Sequence, residues 1–338
     1  MLDGDLPPLV TRLLAAARLF ALEKPGGGVR PIAIGDVLRR WVTRALCMQH
    51  KLDFEEEFRP PQFAVGTSAG GEKLFRAAQT YIQTQDAVGQ DADGRPITRT
   101  LLSLDCRNAF NEIGRQHIID ELAVKHLAMV AFFWQFYGIA ALLWYTMEDG
   151  RVETIHSRQG VQQGDAAGPF LFCLAFQPAL RRLQEQFPAA LVGGFMDDGL
   201  RGMDERDVPS FLTAADAEFR AINLVLRLDK CHAWSPHWRS AADLPTATIS
   251  RGVRASTEGI ILLSAPIGTP AFIERTVNKV VAKHQRLLDA VVAFAVDILG
   301  ARSAGSEPAP SLLWVPSLSL LVPPSCPLLV ALSGRPCT

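Results

Sequence analysis

The sequence predicts an α+β fold, on three observations. Short apolar or alternating runs (TLLSLD, VETIHS, ALVGGF, GIILLSAPI) are interspersed with stretches of helical periodicity. The two kinds do not follow a strict strand-helix-strand order, which argues for a sheet covered by helices on one face and against a doubly wound parallel sheet. Finally, 338 residues with 48% hydrophobic and 20% charged side chains suffice for a sizeable core in two or three units and exclude chain-wide disorder.

The elements follow in order. Residues 9–22 (LVTRLLAAARLFAL) space apolar side chains as a helix does. The glycine-rich stretch from Lys24 to Arg30, followed by Pro31, ends that run as a basic loop. A second helix is expected from Asp36, a good N-cap, through LRRWVTRALCMQH. Between Arg12 and Lys51 eight Lys or Arg stand against only Glu23 and Asp36, so a formal net charge of -1 conceals a basic first segment. Basic residues flanking a glycine loop suit phosphate contact.

A polar stretch then leads into TLLSLD, a strand ending on Asp105, and CRNAFNEIGRQHIIDELAVKHL returns to helical periodicity. Residues 127–147 carry no charge and approach bilayer length. Gly138 divides them into a Phe- and Trp-rich helical half and the strand-like ALLWYT, with the turn EDGR behind, so a buried helix, a turn and a core strand are expected instead of a membrane span. VETIHS reads as a strand, and a glycine-punctuated turn opens a helix with Pro169 near its first turn. ALVGGFMDDGLRGM reads as two strands joined at Asp197-Asp198-Gly199. AADAEFRAINLVLRLDK reads as a helix and GIILLSAPI as a last strand. Residues 300–338 contain 7 of the 22 prolines and almost no charge, and neither period survives there, so an irregular tail is expected. Four prolines interrupt residues 312–332, which makes a second apolar run a poor span too.

The six cysteines are scattered without a CxxC pair, which suits a reducing compartment and argues against structural zinc. Cys231-His232 lacks two further spaced ligands. The start, MLDGDLPPLV, has no secretory pattern, so an intracellular protein without a membrane segment is expected. If the strand ending at Asp105 lies beside the hairpin bearing Asp197 and Asp198, three carboxylates converge, a hard-oxygen set suited to two Mg²⁺ ions. An Asp-Asp-Gly turn taken alone is most often only a turn.

Six segments decide between these readings: KPGGGVRPIAIGDVLRRWVTRAL, SLDCRNAFN, GVQQGDAAGP, FMDD, LRLDKC and LLSAPIG. In this order and spacing, over about residues 6–272, they resemble the reverse transcriptase domain of retrotransposons lacking long terminal repeats (LINE-like elements). The resemblance implies a right-hand polymerase with fingers and palm, a ferredoxin- or RRM-like palm sheet and a truncated helical thumb. It divides the chain into fingers at 1–100, palm at 101–272, a partial thumb helix at 273–299 and the irregular tail. The implied activity is RNA-directed DNA polymerisation, with an RNA template, a DNA primer and deoxynucleoside triphosphates as partners and two Mg²⁺ or Mn²⁺ ions as cofactors.

By the same resemblance Asp105, Asp197 and Asp198 hold the ions, with Phe195 at the aromatic position of the aromatic-x-Asp-Asp turn. Phe110, five residues past Asp105, would sit beneath the sugar and exclude a ribose 2′-hydroxyl. Arg30 would grip the triphosphate with help from Lys24, Gln163 and Gly164 would line the nucleotide and template pocket, and Lys230 would protonate the departing pyrophosphate. The chain departs from the pattern at Ala166-Ala167, where members often carry Pro-Leu, and at Leu263-Ser264, where they carry Leu-Gly before Ala-Pro-Ile-Gly. The likeness fades soon after residue 272, so an incomplete thumb is expected, as is the lack of an endonuclease segment before the polymerase motifs. The alternative is a catalytically silent remnant that keeps the fold and binds nucleic acid weakly. Nucleus or cytoplasm follows by family analogy only, and the oligomeric state stays open.

Overall fold

The computed structural model describes residues 1–24, 27–84, 89–90, 94 and 97–303, with side chains described through residue 294. Two compact units divide the chain, Met1–Val277 and Asn278–Thr338. The elements are α1 (Pro8–Ala15), β1 (Ala17–Glu23), β2 (Val29–Gly35), α2 (Val37–Gln49), α3 (Lys51–Phe58), α4 (Gly70–Gln83) and β3 (Arg99–Leu104). Then come α5 (Ala109–Glu112), α6 (Arg115–Lys125), α7 (Leu127–Tyr137), β4 (Ala141–Thr146), β5 (Val152–Ser157), α8 (Gly168–Gln186), β6 (Leu191–Phe195) and β7 (Asp198–Asp204). The series closes with α9 (Val208–Ala221), β8 (His232–Trp234), α10 (Thr246–Ile249), β9 (Arg254–Ser256), β10 (Gly259–Leu262), β11 (Ala265–Gly268) and α11 (Pro270–Ser303). The described part of the second unit is the remainder of α11, which runs four residues into the stretch expected to be irregular; residues 304–338 of that expected tail lie outside the described residues.

The central sheet has the order β6-β7-β3-β8-β9. Its first four strands are antiparallel neighbours joined in the succession β3, helices with the β4–β5 pair inserted, β6, β7, α9, β8. That is the βαββαβ arrangement of ferredoxin-like sheets, as expected. Leu101 and Leu102 on β3 are both fully buried. Consecutive strand residues point to opposite faces, so both faces need cover. Leu102 and Leu104 join the large core built on α6, α7, α8 and α9, while Leu101 joins Leu74 and Ala78 of α4 and Ile260, Leu262 and Ile267 of the β10–β11 hairpin. The expected single covering layer is therefore one of two.

α8 is buried on nearly every side, with Phe170, Phe172 and Phe176 each at most 2% exposed. A fully buried aromatic of this size stabilises by about 1.5–3 kcal/mol. Pro169 occupies its first turn as expected, where a missing N–H costs nothing. Residues 127–147 divide at Gly138 into α7 and β4, and among the described residues no helix is long and apolar enough to cross a membrane.

Three sequence expectations change. The helix expected over 9–22 stops at Ala15, because Ala16 turns extended (φ −66°, ψ 153°) and residues 17–23 become β1. ARLFALE pairs with β2 along its whole length and runs parallel to β4, and pairing of this kind overrides a weak helical period. The helix expected through residue 230 ends at Ala221. Asn223, at φ +68°, supplies the left-handed stop, and the following residues run beside Asp105 and Arg107, with the Arg107 N–H donating to Val225 and the Arg227 N–H to Asp105. The last expected strand is the hairpin β10–β11. Asp36 caps α2 as expected, its carboxylate accepting from the Leu38 N–H at 2.8 Å.

A four-stranded sheet, β2-β1-β4-β5, lies within the same unit and carries the glycine-rich loop between β1 and β2.

Candidate functional site

The β3–β7 register pairs Leu104 with Gly199, which sets Asp105, the next residue of the first strand, beside Asp198 at the start of the second. β6 and β7 close on the pair Phe195–Asp198. The turn is thus Met196-Asp197, one step earlier than the Asp197-Asp198-Gly199 expected from turn chemistry. The left-handed residue is Met196, at φ +56°, and Gly199 stands inside β7.

The three carboxylates share one electrostatic environment. Burial raises the pKa of each, and repulsion between them adds to the rise: Asp105 acts on Asp197, and both act on Asp198. Asp198 is pushed up to about 6. Its side chain reaches solvent, but protein crowds most of its surroundings, so water screens the repulsion only in part. Among the described residues no three His, Cys, Asp or Glu side chains stand in ready ligand spacing around one point.

Cations surround this end of the sheet. Lys230 and Lys24 lower the pKa of Asp105, Arg30 and Lys24 that of Asp197, and Arg30 that of Asp198. The structure thus brings six residues singled out in the sequence into one electrostatic field: Lys24, Arg30, Asp105, Asp197, Asp198 and Lys230. Lys24 ends the β1 side of the glycine loop and Arg30 lies on β2. Lys230 closes a short 3₁₀ turn, Leu228–Lys230, ahead of β8.

Gln163 and Gly164 act on this arrangement through the backbone. The Ala33 N–H of β2 donates to the Gln163 carbonyl at 2.7 Å. Gly164 has φ +118°, and a Cβ there would lie 2.5 Å from the Ala33 carbonyl oxygen, so only glycine permits the approach. A cleft of about 400 Å³ has Pro31, Ala33, Asn111, Gln159 and Gln163 among its lining residues. None of the three carboxylates lines it. Phe110 flanks the same region with its ring stacked on Phe172 at 4.7 Å between centroids and 8° between planes, half-buried.

Two features escaped the sequence reading. Asp165, next to Gly164, is an ion-pair centre: its carboxylate accepts from the Arg39 guanidinium, from the Tyr137 hydroxyl at 2.7 Å and from the Ala167 N–H at 3.0 Å. Arg39 also donates to the Ala15 carbonyl at 3.2 Å, and the side chains of Arg39 and Asp165 are 3% and 5% exposed. The adjacent carboxylate and burial push the Tyr137 hydroxyl pKa up. This network joins α1, α2 and α7 to the loop before α8. An acidic residue in the motif and an arginine nine residues past Arg30 were the available signals, but only the fold pairs them. The second feature is Gln62, fully buried, whose amide meets the backbone of Met196. Cys231, beside His232, is buried, and burial pushes its thiol pKa up to about 11.

A family model described as "Reverse transcriptase (RNA-dependent DNA polymerase)" matches residues 22–258. The retrotransposable element SLACS 132 kDa protein of Trypanosoma brucei gambiense is 28% identical over 236 residues, 68% of this chain and 18% of that protein. The chain therefore spans less than a fifth of that relative's length. An apo telomerase from Candida tropicalis, truncated from its C-terminal domain, superimposes with a TM-score of 0.52 at 9% identity, over 77% of this chain and 54% of its own. A telomerase from Candida albicans in complex with the TWJ fragment of telomeric RNA gives 0.51 at 11% identity, over 79% of this chain and 46% of its own. Identities this low speak for a shared fold.

Proposed function

The chain belongs to the reverse transcriptase (RNA-dependent DNA polymerase) family, and we propose that it extends a DNA primer on an RNA template, with Asp105, Asp197 and Asp198 holding two divalent ions. The observation that carries this reading is the register of β3 against β7, which sets Asp105 beside Asp198 with Asp197 in the adjoining turn. The likeness to the trypanosome protein supports a retroelement origin of the class lacking long terminal repeats, and the RNA-bound Candida telomerase supports a nucleic-acid partner.

The carboxylates fit divalent ions on their own chemistry. They are hard oxygen donors, and their pKa values are raised by burial first and by mutual repulsion second, a charge penalty that bound cations would offset. Mg²⁺ or Mn²⁺ bound there supplies activation of the primer 3′-hydroxyl and neutralisation of the leaving pyrophosphate. The chain's own residues do the rest. Arg30, and Lys24 beside it, hold the triphosphate oxygens, for which a guanidinium offers paired donors. Gln163 and Gly164 fix the distance between that hairpin and the palm. Phe110 blocks a ribose 2′-hydroxyl by its bulk, and Lys230 gives a proton to the departing oxygen. Fingers at 1–100, palm at 101–272 and a thumb helix from 273 complete the division of labour.

Primer extension on a poly-rA template tests this reading. Deoxynucleotides should be incorporated only with Mg²⁺ or Mn²⁺ present, and EDTA or Asp197→Asn should stop the reaction while the circular dichroism spectrum stays unchanged. Activity in Asp197→Asn close to that of the unaltered protein refutes the site. Phe110→Ala should raise ribonucleotide use relative to deoxynucleotide use by about tenfold or more, the discrimination a steric contact can supply; an unchanged ratio removes Phe110 from the pocket.

A further inference from the structure

One side chain reaches the turn that bears Asp197 from 134 residues away. Gln62 is 0% exposed. Its Oε1 accepts from the Met196 N–H at 2.9 Å and from the N–H groups of Phe63 and Ala64 at 3.1 and 3.2 Å, and its Nε2 donates to the Met196 carbonyl at 3.2 Å. A single amide thus satisfies both backbone polar groups of one residue. That residue is Met196, held at φ +56°, a left-handed conformation that side chains other than glycine avoid.

The surroundings hold Gln62 in place. Its segment lies along the free edge of β6, with the Phe63 N–H donating to Gly194 at 2.8 Å and the Gly194 N–H donating to Pro61 at 3.0 Å. A Cβ on Gly194 would meet the Gln62 amide at 3.2 Å and Leu180 at 3.1 Å, so glycine makes room for the amide. Glutamine is the fitting residue. Glutamate has no N–H to offer the Met196 carbonyl, leucine offers neither group, and asparagine is one methylene too short.

We propose that Gln62 is a positioning residue of the polymerase site: its buried amide locks Met196 in the left-handed turn and so fixes where the Asp197 carboxylate stands for metal binding. The inference rests on the reading of Asp197 as an ion-holding residue. Its energetic sense is that misplacing a reacting group by about 1 Å can cost about 100-fold in rate, while a strained residue persists only where its surroundings hold it.

The experiment compares the full chain with Gln62→Leu, Gln62→Asn, Met196→Gly and the double variant Gln62→Leu/Met196→Gly. Three quantities are read: amide hydrogen exchange over residues 195–198, the Mn²⁺ dissociation constant by electron paramagnetic resonance, and kcat and KM for dTTP on poly-rA. Gln62→Leu should speed exchange in that segment about tenfold or more, as loss of two backbone partners predicts, weaken Mn²⁺ binding, and lower kcat with little change in KM. Gln62→Asn should fall in the same direction, and it carries the test if the leucine variant does not fold. In the Met196→Gly background the Gln62→Leu deficit should shrink, because glycine takes the left-handed conformation without support. Unchanged exchange, or faster exchange with unchanged Mn²⁺ affinity, overturns the proposal, as does a deficit in kcat that is identical in both backgrounds. Should the unaltered protein bind no Mn²⁺ and extend no primer, the proposed function fails by itself, and the locking of Met196 is still decided by exchange.

Discussion

Two hairpin turns in this molecule place ordinary residues in left-handed backbone, and they do so by different means. In the β6–β7 turn only Met196 is left-handed, and a buried glutamine from a distant segment holds it on both backbone groups. In the β10–β11 turn Leu263 and Ser264 are both left-handed, at φ +48° and +68°, and the hairpin closes on the pair Leu262–Ala265. Two consecutive positive φ values are the pattern of a type I′ turn, whose twist already matches that of the strands. The second turn is kept by its own hairpin. The first bears Asp197, and it is kept by a side chain from a distant segment.

The comparison can be broken at its strongest point by removing the carboxylate the first turn presents. Asp197→Asn is expected to lower primer extension by about 1,000-fold or more, as losses of residues acting as a unit do, while its thermal midpoint stays equal or rises, since one of three repelling charges is gone. A fall in the midpoint alongside activity would show that the turn serves folding.

A smaller and graded effect is expected with pH. The folded pKa of Asp198 is raised from 3.8 to about 6, so the stability this group contributes is complete below about pH 4 and is lost as pH rises through 6. Melting curves without divalent ions should therefore show stability declining across that window, and added Mn²⁺ should raise the midpoint more at pH 7.5 than at pH 5. A Mn²⁺ increment that is the same at both values removes the aspartates from metal binding. The β10–β11 turn contains no ionisable side chain, so it should contribute nothing to this slope.

The smallest effect separates the turns most directly. Ser264→Gly relieves a left-handed serine and should stabilise by about 0.5–1 kcal/mol, a rise of about 1–2 °C in the thermal midpoint, equal at both pH values. Loss of stability on that substitution would mean that the Ser264 side chain holds the turn by a contact of its own.

Much of the site was legible because its parts announce themselves locally. Asp105 ends an apolar strand, and Phe195-Met196-Asp197-Asp198 sits between two short ones, so convergence required only that the strands be neighbours. β1 was misread because ARLFALE fits a helical spacing, and only pairing with β2 and β4 shows it to be a strand. The turn was placed one step late, since Asp-Gly is the commoner turn signal and nothing near Met196 reveals a glutamine 134 positions earlier. The second covering layer was invisible for a similar reason: Leu101 and Leu102 read as one apolar run until a strand sends them apart. Ser264 was legible as a departure from the family's glycine, and the structure supplies its physical content, a left-handed backbone position.

The Arg39–Asp165–Tyr137 network carries a consequence for descent. Each member is buried against the others, and replacing one alone strands a charge or a carboxylate in the interior, a change costing several kcal/mol. Among relatives that keep this fold, positions 39 and 165 should therefore change jointly, and a relative carrying one partner without the other should be destabilised.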